Sequence, residues 1–149
     1  MTEQEFLITF EPPEHGWLNI AIKTPCGEYF IDASDVPCNS LEQLASALQE
    51  FQQHKPSKIE WSLEPGFAVW KLTPNGEQSS FEVFDTLDEK VLHIICSHKD
   101  MFNKLLNFMD AVGKSESWLT PHHWSWDFPK NELRELTEQV KLSGTQAIR

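Results

Sequence analysis

The sequence predicts an α+β domain: a mostly antiparallel sheet of six to seven strands, in meanders and hairpins, with about three helices on one face. Three observations carry this reading. Short runs in which apolar and polar positions alternate fill much of residues 6–98, the period of half-buried strands. Clusters of Pro, Gly and Asn separate them as turns do. Apolar residues at helical spacing occur in only three segments, so strands and helices do not alternate as a parallel doubly wound sheet requires.

Phe6, Ile8 and Phe10 share one face of a first strand, which Glu11-Pro12-Pro13-Glu14-His15-Gly16 ends. Trp17 to Lys23 alternates again, and Pro25-Cys26-Gly27 turns the chain into Tyr29-Phe30-Ile31-Asp32. Either Asn39 with Glu42 or Ser40 with Gln43 can form a capping box for a helix carrying Leu41, Leu44, Ala45, Leu48 and Phe51. Lys58–Leu63 and Phe67–Leu72 are strands, and Asn75-Gly76 marks a tight hairpin returning as Ser80–Asp85. Val91–His98 is the last strand. Asp100 then caps a helix bearing Phe102, Leu105, Leu106, Met109 and Val112, stopped by Gly113. A final helix starts at Pro129, carries Leu133, Leu136 and Val140, and closes at Gly144.

Residues 1–149 suit one domain, with seventeen aromatic residues to build its core. The longest apolar run, Val91 to Cys96, is interrupted by His93, far short of the roughly 20 residues of a membrane span. The first residues lack the basic-then-apolar order of a secretory signal. Three cysteines do not make a disulfide framework and read as reduced thiols of a cytoplasmic protein.

Twelve bases against 23 acids give a net charge of -11, and the imbalance is uneven. Residues 1–54 hold nine acids and a single base, Lys23. Such a field repels nucleic acid and anionic membranes and attracts a protein with a basic surface.

Chemistry-bearing motifs are sparse. None of the six glycines falls in a phosphate-binding pattern, and no nucleophile elbow is present. His93-x-x-Cys96-x-His98 holds metal-ligand types, but on a strand His93 faces away from Cys96 and His98. Adjacent His122 and His123 point apart in an extended segment. Asp32/Asp35 and Asp85/Asp88/Glu89 are paired carboxylates, yet Asp is also what turns and pre-helix loops need to satisfy backbone amides. Trp118 to Pro129 holds three Trp and a Phe, with Trp124, Trp126 and Phe128 on one face when extended. Those rings are a lid on the core, a partner-binding patch, or both with different rings.

His15-Gly16-Trp17, Asp32-Ala33-Ser34-Asp35-Val36-Pro37 before a capped helix, Glu64-Pro65-Gly66 before a Trp-bearing strand, and Trp126-x-Phe128-Pro129 together resemble small bacterial proteins, some of which act as immunity proteins in toxin–immunity systems. The resemblance implies stoichiometric inhibition of a toxin, often a nuclease with a basic cleft, by covering its working surface.

The expectation is therefore a cytoplasmic acidic binding protein, not an enzyme, with no cofactor or metal. Glu11, Glu14, Asp32 and Asp35 would supply charge, and Trp124 and Trp126 anchoring contacts. Two rivals stay open: a metal protein or small enzyme using Cys96, His98, His122 or His123, and a module whose aromatic segment pairs with its own copy.

Overall fold

A computed structural model describes residues 2–120 and 122–147, with side chains as far as Leu142. Seven strands form one sheet in chain order, each antiparallel to the next. They are β1 (Leu7–Phe10), β2 (Trp17–Thr24), β3 (Gly27–Ser34), β4 (Ser57–Ser62), β5 (Phe67–Asn75), β6 (Gln78–Phe84) and β7 (Lys90–Ser97). Helix α1 (Ser40–Gln52) lies between β3 and β4, while α2 (His98–Gly113) and α3 (Lys130–Ala147) follow β7. This is the expected α+β architecture. No helix among the described residues is long and apolar enough to cross a membrane.

Period-two alternation sorts the sheet into two faces. On one, Leu18 pairs with Ala33, Ile20 with Ile31, Ile59 with Trp70 and Phe81 with Ile94, all buried against the helices. The Trp61 and Trp70 rings lie 4.9 Å apart and Trp70 meets Phe81 at 5.2 Å, so large aromatics fill the centre. Helix α1 adds Leu41, Leu44, Leu48 and Phe51, all fully buried, each worth about 2 kcal/mol of transfer free energy before ordering entropy is subtracted. The other face carries Asn19 opposite Asp32, Ala21 opposite Phe30, and Lys71 opposite Glu82.

Two departures from regular strand pairing mark this sheet. Strands β3 and β4 share a single pair, Ser34 with Ser62. Beyond it the free edge of β4 is satisfied by α1: Ser40 Oγ donates to Glu60 O at 2.7 Å, and Glu60 N donates to Gln43 Oε1 at 2.9 Å. A helix side chain thus does for β4 what a neighbouring strand would have done. At the far edge Glu3 joins β7, its N donating to His93 O at 2.9 Å and its O accepting from Ile95 N at 2.8 Å. The chain that enters β1 therefore also touches the last strand, through an isolated parallel bridge between Glu3 and Ile94.

The structure chooses between the two α1 caps and moves the sequence signals by a residue or more in three other places. Asn39 is the α1 cap, accepting from Glu42 N at 3.3 Å, while Ser40 turns inward to β4. The β5–β6 hairpin pairs Asn75 with Gln78, so its loop is Gly76-Glu77, and the positive φ of +68° falls on Gly76 alone. That is the arrangement with Gly first among the two central residues. Helix α2 starts at His98 with Ser97 as cap, accepting from Asp100 N at 3.1 Å, so Asp100 sits in the first turn. Helix α3 runs past Gly144 to Ala147. Glycine permits a C-cap without requiring one.

Candidate partner-binding surface

The uncovered face of β1–β3 is built in three cross-strand rows. Leu7, Lys23 and Glu28 form the first; Thr9, Ala21 and Phe30 the second; Asn19 and Asp32 the third, to which Glu11 is joined through its N–H on Asn19 O at 3.0 Å. Phe30 stands in the middle of its strand, 64% exposed, with Glu28 and Asp32 two residues to either side. Asn19 Nδ2 donates to Asp32 Oδ1, which holds that exposed carboxylate in place at the surface. Glu11 and Glu14 are exposed as well. Three carboxylates around Phe30 meet one lysine on this part of the face.

Strands β4–β7 present a different balance on the same side of the sheet. Lys58, Lys71 and Lys90 stand there with Glu60 and Glu82, Lys90 pairing with Glu82 at 2.8 Å and Lys71 lying 4.6 Å from the Phe84 ring centre. On this face of the sheet the excess of carboxylates over lysines therefore lies in the β1–β3 half, matching the uneven distribution of acids in the sequence.

Asp35 belongs elsewhere. Its side chain is only 8% exposed, and Oδ2 accepts from both Ser125 N and Ser125 Oγ at 2.7 Å. Its backbone N donates to Gly16 O at 3.0 Å, and its O accepts from Trp126 Nε1 at 2.6 Å. Gly16 N in turn donates to His123 O at 2.9 Å, and the His15 and His123 rings sit 5.6 Å apart. Three of the sequence stretches behind the immunity-protein resemblance, around residues 15–17, 32–37 and 126–129, are thus neighbours. Gly16 is required there: its φ is +87°, and a Cβ would stand 3.1 Å from Asp35 Oδ1. The expectation of Asp35 as a surface charge is corrected, because its carboxylate is occupied by Ser125.

The aromatic segment divides between core and surface. Trp124, expected as an anchoring contact, is 8% exposed and joins the core cluster with Phe128, so most of its ring packs inward and only a margin of it lines the cleft beside Trp126. Phe128 packs edge-on to Trp118 with ring centres 5.3 Å apart, and Trp118 Nε1 donates to Val112 O at 2.8 Å. Trp126 is 40% exposed and Leu119 82%. These two residues, with Asn39, Glu42, Asp127 and Glu132, line part of an open cleft of about 880 Å³ between the start of α1 and the start of α3.

The histidines and cysteines find separate neighbours. Cys96 pairs with Ser79 on the helix-facing side, His93 with Glu82 on the open side, as alternation demands. Burial pushes the Cys96 thiol up, with Asp100 adding to the effect against Lys104. His98 is held by Ser79 Oγ at 2.8 Å from Nδ1 and stacks on His54 at 4.1 Å between ring centres. His123 meets His15, and His122 is exposed. Among the described residues no group of three or more His, Cys, Asp and Glu side chains is placed to hold a metal ion. Asp85 is a turn residue, its Oδ1 accepting from Leu87 N at 2.9 Å and Glu89 N at 3.0 Å.

Phe30 is the surface residue that the sequence reading passes over. Its signal lies in the alternation itself, since Phe30 shares a face with Glu28 and Asp32, the face opposite buried Ile31. No protein-family model, curated protein or solved structure matches this chain.

Proposed function

We propose that this protein is an acidic binding protein that neutralises a basic protein partner by stoichiometric association, in the manner of a cytoplasmic immunity protein facing a toxin. One observation supports it above others: an aromatic ring 64% exposed at the centre of a face whose nearest ionised neighbours are mainly carboxylates. An isolated exposed Phe is unremarkable on a surface. Set among Glu11, Glu28 and Asp32 it combines an apolar anchor with long-range attraction for cations. Glu14 adds charge beside β2, and Trp126 with Leu119 offers a second apolar contact at the cleft. Acidic side chains would set the association rate, and burial of Phe30 would slow release.

The product of the adjacent gene is the partner to test. Mixed with this protein, it should form a one-to-one complex whose affinity falls with salt. The double variant Glu11→Lys, Asp32→Lys and the variant Phe30→Ala should each weaken that complex by about tenfold or more. A complex indifferent to salt and to both variants would remove this surface. Failure of co-expression to relieve toxicity of that product would remove the immunity reading.

A further inference from the structure

The backbone directions of β3 bear on what the acidic face can hold. Trp17 exchanges both backbone groups with Glu14, and Asn19 O accepts from Glu11 N, so odd-numbered residues of β2 direct their backbone groups away from β3. Even-numbered residues of β2 bond instead to Gly27, Tyr29, Ile31 and Ala33. Glu28, Phe30 and Asp32 must then direct their N–H and C=O groups to the opposite edge. The next strand in order, β4, meets β3 only at Ser34, and its own edge is closed by Ser40 and Gln43 of α1. Glu28, Phe30 and Asp32 are all exposed, and no described residue bonds their outward backbone groups. Although β3 is third in the sheet, most of its length is an edge.

We propose that this edge takes up an extended segment of a basic partner as an added strand, pairing with Glu28, Phe30 and Asp32. The inference rests on the acidic-binding reading above and gives it a mode of attachment. Cross-strand matching states the sequence of the occupant: on the face shared with these three residues it carries a basic, an apolar and a basic side chain in alternate positions. A second copy of the chain fits poorly. Antiparallel pairing of two β3 strands about Phe30 places Glu28 opposite Asp32 twice, and parallel pairing sets each carboxylate beside its like. The charges that blunt this edge against its own kind match a cationic strand. Lys23, opposite Glu28, is the one cation on these rows and makes the Asp32 end the stronger half.

A short peptide with the core Arg-Thr-Val-Thr-Arg is the probe, used with two relatives. One is N-methylated at the amides that would face β3, and the other has Glu for both Arg residues. Fluorescence anisotropy should show the parent peptide binding, with both relatives weakened by about tenfold or more. Equal binding of parent and N-methylated peptides, with the Glu peptide still rejected, overturns strand addition and leaves the acidic reading standing. Equal binding of the parent and Glu peptides defeats both, and no binding of the parent defeats strand addition. A protein-side comparison is independent of the peptides: Phe30→Pro deletes an outward N–H that Phe30→Ala keeps, without touching the β2 ladder. If Ala and Pro variants bind the parent peptide alike, strand addition fails. Light scattering showing a dimer that Phe30→Pro dissolves would assign the edge to a second copy instead.

Discussion

Ser125 donates both its backbone N–H and its hydroxyl to one oxygen of Asp35, each at 2.7 Å, across 90 positions of sequence. A nearly buried carboxylate so engaged holds the segment from His123 to Trp126 against the turn at Gly16. Replacing the buried Asp35 by Ala removes two charge-assisted hydrogen bonds that tie exposed Ser125 to the Gly16 turn. The expected loss is about 1–3 kcal/mol of stability. Urea denaturation followed by tryptophan fluorescence measures it, and a loss below about 0.5 kcal/mol, typical of an ordinary surface charge, would contradict the account.

Gly113 ends α2 against Phe128. A Cβ there would lie 2.6 Å from two carbons of the Phe128 ring, closer than real contacts allow. Gly113→Ala should therefore cost about 1–3 kcal/mol despite the better helix propensity of Ala. Combining it with Phe128→Leu, which shortens the obstructing side chain, should cost less than the two single changes added together. Strict additivity in thermal denaturation would show that the two sites do not meet.

Burial lowers the affinity of His98 for a proton, and the neighbouring His54 adds to the effect. The unfolded chain therefore takes up a proton at the ordinary value of 6.5 before the folded protein does. Stability from this group is full above that pH and is lost as pH falls through the window below it. His98→Asn should flatten the fall in urea midpoint between about pH 7.5 and 5.5. An unchanged slope would mean that other groups govern acid sensitivity.

Charge on the open face should be separable from fold. Glu11→Lys with Asp32→Lys alters exposed side chains, so thermal stability should move by no more than about 0.5 kcal/mol. The same change should reduce attraction for cationic proteins, most strongly at low salt. Asp32→Lys also removes an acceptor for Asn19, so Glu11→Lys alone is the cleaner control. Circular dichroism melting beside affinity measured at two ionic strengths checks both halves, and loss of fold would contradict the assignment of these residues to the surface.

Fold class was legible because it depends on periodicity, which is local. Leu18, Ile20 and Ile22 announce a strand, and Leu41, Leu44, Leu48 and Phe51 a helix, whatever surrounds them. Asp35 shows where that reading stops. Beside Pro37 and before a helix it looks like a solvent-exposed turn acid, and only the distant Ser125 explains its burial. Trp124 and Trp126 illustrate the same limit, since alternation groups them on one face while the bent path of the segment buries one and leaves the other at the surface. The free edge of β3 was hidden for a further reason. Sequence order puts β4 next, and nothing local says that Ser40 and Gln43 would close the β4 edge in place of a strand.

The acidic face of β1–β3 is the centre of the account, and amide chemical shifts locate binding directly. Titrating the ¹⁵N-labelled protein with the arginine-bearing peptide should move the signals of Glu11, Glu28, Phe30 and Asp32 first and furthest. Shifts centred on Leu119, Trp126 and Glu132 at the cleft, or spread evenly over the molecule, would contradict it.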